Sequence, residues 1–296
     1  MLAVSMAAAA FGALGTIATL FYRAGLTPYA VTSGRAIVGA VALAGLLAAR
    51  GDGLAAVRRL PRRDQATMAG VVMAGSVASL CVSVAFGLMA VVPVVAIYYL
   101  YPLGVAVWGG LRGDEPLTMR TAAGVGIALA GVAAVLAPWE GHAPTSAAGI
   151  VVAAVAAIAG TVLFRLIRAA PPSLTPVHLS AYMLTGVAFV AILVAVVLGQ
   201  APASMAWALD PLLAALMVVA GIVTAVVPNV LIPYGIRRIG ATDAATVMFG
   251  EPISGVLFAA AVLGQPLGPT TIAGTVAVVA GAVLVTRRPD KPDGRA

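Results

Sequence analysis

Ten apolar segments, each long enough to cross a bilayer and joined by links of a few residues, leave this chain little choice but a helical membrane fold. They lie near 3–22, 27–49, 66–87, 91–111, 120–138, 147–168, 175–198, 210–234, 242–263 and 268–286. A spanning helix needs about 20 apolar residues, and hydrocarbon forces every backbone polar group to find its partner inside the protein. Hydrophobic residues fill 62% of the 296 positions and charged ones 9%, where a soluble chain carries about a quarter charged. With a mean hydropathy of +1.08 no separate aqueous domain is expected. The Ala-rich start lacks the basic lead of a signal peptide, so the first segment reads as a helix of the fold.

The second half repeats the first. A shift of 150 positions lays Pro252 on Pro102, Pro266-Leu267 on Pro116-Leu117, Ala273-Gly274 on Ala123-Gly124 and Ala280-Gly281 on Ala130-Gly131. Upstream the offset drifts, with Gly160-Thr161 on Gly15-Thr16, Arg168-Ala169 on Arg23-Ala24 and Thr175-Pro176 on Thr27-Pro28. Two five-helix units, 1–138 and 145–288, are therefore expected, followed by a disordered cytoplasmic tail at 289–296. An odd number of spans per unit inverts the second copy, and inverted repeats are a mark of secondary transporters.

The formal charge of +7 invites a nucleic-acid reading that the placement of the charges removes. With a cytoplasmic N-terminus, 15 of the 17 basic residues fall on the cytoplasmic side, in runs such as Arg58-Arg59, Arg62-Arg63, Arg237-Arg238 and Arg287-Arg288. Only Arg23 and Arg35 do not. This is a positive-inside pattern, which makes the basic residues topology determinants, and a bacterial cytoplasmic (inner) membrane is the expected location. Other classes lack support too. Cys81 is alone, so no internal disulfide can form. His142 and His178 stand apart with no ligand cluster, so no metal is expected. No Gly-rich loop ends in Lys-Ser or Lys-Thr. No nucleophile–base pattern stands out, so the chain is not read as an enzyme and no cofactor is expected.

Ionisable residues deep in a span are functional candidates by default. Glu251 lies midway along the ninth segment, directly before Pro252, with Asp243, Thr246, Gly250 and Ser254 on one helical face. It reads either as a protonatable or substrate-pairing carboxylate or as a structural Glu bonded across helices. Arg35 lies about 12 Å into the second segment at 1.5 Å per residue. It is a charge partner for an anionic or zwitterionic substrate, a snorkelling side chain, or a brace on backbone carbonyls. Tyr98, Tyr99, Tyr101 and Trp108 form an aromatic stripe, read as a stacking surface or as packing. Ser76, Ser79 and Ser83 line one face of the third segment. In the eighth, Thr224, Pro228, Asn229 and Pro233 suggest a helix whose freed carbonyls help build a midplane site. Ser79 and Asn229 occupy equivalent repeat positions. The candidate substrate-binding set is thus Glu251, Arg35, Tyr98, Tyr101, Ser79, Asn229 and Trp108. Gly124, Gly131, Gly274 and Gly281 mark helices built for close packing.

The stretch from Gly235 to Val285, with its basic-Gly-Ala lead, Glu251-Pro252, Gly264-Gln265-Pro266-Leu267 link and Gly-rich last helix, resembles the C-terminal half of an EamA-type repeat. Pro102, the GDEPLT link and GVGIALAGVAAVL resemble the same unit in the first half, and Arg35 matches the Arg common in the second helix. The resemblance implies the drug/metabolite transporter superfamily: ten helices in two inverted five-helix repeats, cytoplasmic termini, and a central cavity from helices one, three, four, six, eight and nine. It implies export of small organic metabolites, amino-acid-like or drug-like, by alternating access. Gln265 replaces a common Glu, and the first helix lacks the embedded Glu of the small multidrug exporters. Protons are a candidate coupling ion. An uncoupled facilitator is the first alternative and an integral-membrane enzyme or sensor a remote one. The expected partners are a small-molecule substrate and the lipid bilayer, and a monomer is expected.

Overall fold

The computed structural model describes residues 2–53, 57, 59–112, 119–136, 146–239, 248 and 250–286. No strand occurs among them. The GDEPLT link, His142, Asp243, Thr246 and the tail at 289–296 lie outside the described residues.

Helix α1 (Leu2–Arg23) leads through a turn with Gly25 at φ 87° into α2 (Pro28–Ala49). The start of α2 is written in two residues: Thr27 accepts a hydrogen bond from the Ala30 N–H, and Pro28 sits where no N–H is needed. The equivalent Thr175-Pro176 repeats this, with Thr175 capping the His178 N–H at the head of α8 (Pro176–Val197). Between them run α3 (Arg62–Leu88), α4 (Val91–Tyr98), α5 (Tyr101–Leu111), α6 (Met119–Leu136) and α7 (Ala147–Arg168). After α8 come a short α9 (Ala201–Ser204), α10 (Pro211–Gly221), α11 (Val227–Ile239), α12 (Gly250–Leu263) and α13 (Pro269–Thr286).

Two segments are not regular helices throughout, the eighth where its prolines predict a disturbed ladder and the fourth where an unbroken span is expected. The 91–111 stretch breaks at Tyr99 and Leu100, between α4 and α5. Pro102 has no N–H and can donate no hydrogen bond to the residue 98 carbonyl. In the eighth segment a π turn, Ile222–Val226, joins α10 to α11, and the Val227 N–H reaches back to the Ile222 carbonyl. Pro228, next in the chain, leaves the Thr224 carbonyl without its helical donor.

The principal pairings run between the two halves: α6 with α13, α3 with α7, α2 with α8, and α1 with both α12 and α11. Glycine sets the closest of them. A Cβ at Gly131 would lie 2.7 Å from the Gly274 carbonyl, and one at Gly281 2.5 Å from that of Gly124. Backbones can meet that closely only where side chains are missing. The main core gathers Phe21, Val31, Phe86, Val91, Ile97, Ala153, Met217 and Val256. Outside, large apolar side chains such as Val41, Phe189, Leu212 and Val276 are exposed, as a bilayer solvent requires. Among the described residues seven segments are long and apolar enough to cross a membrane, and three shorter apolar helices lie at 122–136, 250–263 and 269–284.

Candidate functional site

The break after α4 brings Tyr99 together with Tyr98 and Tyr101, from which an unbroken helix would turn it away. Tyr98 and Tyr101 have ring centroids 5.2 Å apart, Tyr99 and Tyr101 5.8 Å, and Tyr98 and Tyr99 6.4 Å. Tyr101 stacks on Phe164 of α7 at 4.7 Å. Glu251, half-buried on the first turn of α12, interacts electrostatically with all three and shares a side-chain hydrogen bond with Tyr99.

Tyr99 is 2% exposed, and its hydroxyl donates to the Met248 carbonyl at 3.2 Å. That carbonyl is the one Pro252 leaves without a helical donor. A tyrosine has a single proton to give, so Met248 and the Glu251 carboxylate compete for it. A neutral Glu251 can instead donate to the Tyr99 oxygen.

Glu251, Tyr98 and Tyr99 close one side of a cleft. Helix α1 contributes Phe11, Gly12, Leu14 and Gly15, α3 contributes Val82 and Phe86, and α4 contributes Val94 and Val95 beside Tyr98. Its volume is about 30 Å³, room for a water or two and far too little for a metabolite.

Of the residues singled out in the sequence, Glu251 and Tyr98 line this cleft. Tyr101 lies behind it, its carbonyl bonded by Thr161 at 3.1 Å. Arg35 is 6% exposed and committed elsewhere: its Nε donates to the Thr224 hydroxyl at 2.6 Å and its Nη2 to the Thr224 carbonyl at 3.2 Å. It fills the donor place that Pro228 vacates. Asn229 turns its amide onto the Ala225 carbonyl at 2.6 Å, and its own carbonyl, unpaired because of Pro233, accepts from Ser180 at 3.4 Å. Ser79 is half-buried on α3 and outside the lining. Trp108, 37% exposed, has the guanidinium groups of Arg112 and Arg165 at 5.8 and 5.9 Å from its ring. The structure thus brings Glu251 and Tyr98 together and leaves Arg35, Ser79, Asn229 and Trp108 at separate places.

Sequence reasoning passed over Phe11, Phe86 and the special position of Tyr99. The signal for Tyr99 was available: it lies three residues before the proline that breaks its helix. Phe11 and Phe86 carry no such mark in a chain this apolar.

Three prolines free carbonyls at Met248, Thr224 and Asn229, and side chains from other helices take each one up. The arrangement is that of an all-helical, polytopic membrane protein with its broken helices buried against one another. Residues 147–287 match the family described as EamA-like transporter family, a match over the second half of the chain that supports an EamA-type transporter of the drug/metabolite superfamily. No curated protein matches it by sequence. A solved protein crystal structure superposes with a TM-score of 0.57 at 17% identity, over 96% of this chain and 95% of that one, a likeness of fold.

Proposed function

We propose that this protein is a secondary transporter that exports a small organic metabolite across the bacterial cytoplasmic membrane by alternating access. In this reading ten helices form two inverted five-helix repeats, 1–138 and 145–288, with both termini cytoplasmic, and the monomer is the working unit. The observation that carries it is Glu251: a carboxylate within the membrane, at the head of a proline-marked helix, facing a cleft walled by helices from both halves. A charge in such a place costs about 2.5–3.5 kcal/mol on insertion scales, a cost that function would explain. The pairing of helices supports the repeat, since most contacts between halves have a counterpart. The α1–α12 contact is matched by α7 on α4 and α5, and α3–α7 by α11–α1, while α2–α8 and α6–α13 each join equivalent helices. The small cleft fits a closed conformation that must widen to load substrate.

Counterflow into proteoliposomes, with and without a pH gradient, tests the reading. Accumulation beyond equilibrium only under the gradient is the expected result, and Glu251→Gln, folded by size-exclusion profile, is expected to abolish that dependence. Normal coupled transport by Glu251→Gln would remove the carboxylate from the mechanism. Exchange indifferent to the gradient would make the protein a facilitator.

A further inference from the structure

Among the described residues the cleft carries one carboxylate and no countercharge. Glu251 is the one carboxyl or basic side chain of that described lining, beside the phenols of Tyr98 and Tyr99. Arg35, the nearest to a candidate partner that the sequence offers inside the membrane, is absent from that lining and holds Thr224 through two of its nitrogens. The other described basic residues, such as Arg23, Arg112, Arg165 and Arg168, stand at helix ends. Around the carboxylate the wall is aromatic: Phe11, Phe86, Tyr98 and Tyr99. A carboxylate set among ring faces attracts a cation twice, by charge and through the negative faces of the rings. The same wall rejects an anion, which would meet a like charge with no cationic side chain to pair it.

We propose that the site selects small organic monocations, amines with an apolar or aromatic body and no carboxylate. The ammonium rests on Glu251, and the body lies against Phe11, Phe86 and Tyr98. A zwitterionic amino acid of the same size is disfavoured, because its carboxylate finds no cationic partner among the described residues. The inference rests on the reading of this cleft as the transport site, and it narrows the substrate from any small metabolite to one charge class.

Three labelled probes with one ring body and different charge decide it: phenethylamine, L-phenylalanine and 3-phenylpropionate. Equilibrium binding to the purified full-length protein and counterflow in proteoliposomes are measured side by side. Phenethylamine is expected to bind about tenfold or more tightly than phenylalanine, since ion pairing and ring contacts both favour the cation, and phenylpropionate is expected not to bind. Glu251→Gln should erase the preference for the amine. Should that variant fail to fold, the ranking of the three probes on the unaltered protein still decides.

Binding of phenylalanine equal to or better than that of phenethylamine overturns the monocation and leaves the exporter intact. Amine binding that depends on Glu251, without counterflow of any probe, upholds the site and overturns the exporter. Failure of phenethylamine to bind overturns the inference itself.

Discussion

Two helix contacts that the sequence repeat makes equivalent are built one helical turn apart. Where α7 meets α4 and α5, the Thr161 hydroxyl shares its one proton between the Tyr101 carbonyl at 3.1 Å and that of Ala157 at 3.0 Å, and it lies over Gly104. The matching positions at the contact of α1 with α12 are Thr16, Glu251 and Ser254. There Ser254 sits on Gly12, four residues before Thr16, and shares its one proton between the Glu251 carbonyl at 2.9 Å and the Ala8 carbonyl at 3.4 Å. Four residues are about one turn, 5.4 Å of slip. Thr16 is left buried with no hydrogen-bond partner among the described residues.

Side-chain volume explains the difference. On α5 the small residue, Gly104, is on the broken helix and admits a threonine. On α12 the position carries Ser254, and the glycine has moved to the facing helix. The same repeat has thus been tuned into two registers by exchanging which partner is small. The slipped register also lays Gly12 and Gly15 along the cleft, beside Glu251.

The largest effect should come from filling Gly12. A Cβ there would lie 2.8 Å from the Gly255 nitrogen and 2.9 Å from the Glu251 carbonyl, backbone atoms that cannot rotate away. Gly12→Leu is expected to cost about 3 kcal/mol, the upper part of the overpacking range, and to abolish counterflow. The thermal midpoint in detergent, followed by the monodisperse peak, is the measurement. A midpoint equal to that of the unaltered protein would mean that α1 and α12 are not held in this register.

Gly104→Ala comes next. Its Cβ meets the Thr161 side chain, with Cγ2 at 3.2 Å, and a side chain can yield where backbone cannot. About 1–2 kcal/mol is expected, and Thr161→Ala in the same molecule should return part of it, because contacting residues are not additive. Additive losses in the double variant would separate Gly104 from Thr161 and dissolve the parallel between the two contacts.

The parts of this structure legible in sequence are those fixed by local chemistry. Thr27-Pro28 and Thr175-Pro176 declare helix starts because a hydroxyl cap and a missing N–H act within four residues. The glycines of α6 and α13 announce close packing for the same kind of reason. Pro102 and Pro228 flag trouble in their helices, yet the form it takes, a break at Tyr99 and a π turn at Ile222–Val226, depends on neighbours. Which side chain takes a freed carbonyl is less legible still. Arg35 reaches Thr224 across 189 positions of sequence, and the partner is chosen by packing between helices. For Glu251 the sequence shows an acid within the membrane, and only the fold shows that aromatic rings surround it. The register slip at Gly12 was unreadable, because both registers satisfy the same apolar pattern.

The smallest effects discriminate best. Thr161→Val keeps shape and removes a hydroxyl whose one proton is shared between two carbonyls, so a loss of about 0.6–1 kcal/mol is expected, the scale of hydrogen bonds between membrane helices. Thr16→Val removes a hydroxyl with nothing to bond. It should leave the thermal midpoint unchanged or raise it slightly, since an unsatisfied buried group is itself a cost. The two substitutions are chemically identical at equivalent positions, so their difference reports the register alone. Equal losses would mean that Thr16 reaches the Glu251 carbonyl in a populated arrangement one turn away. The slip between the two contacts would then be a movement of the working protein, with α1 climbing on α12 as α7 descends on α5.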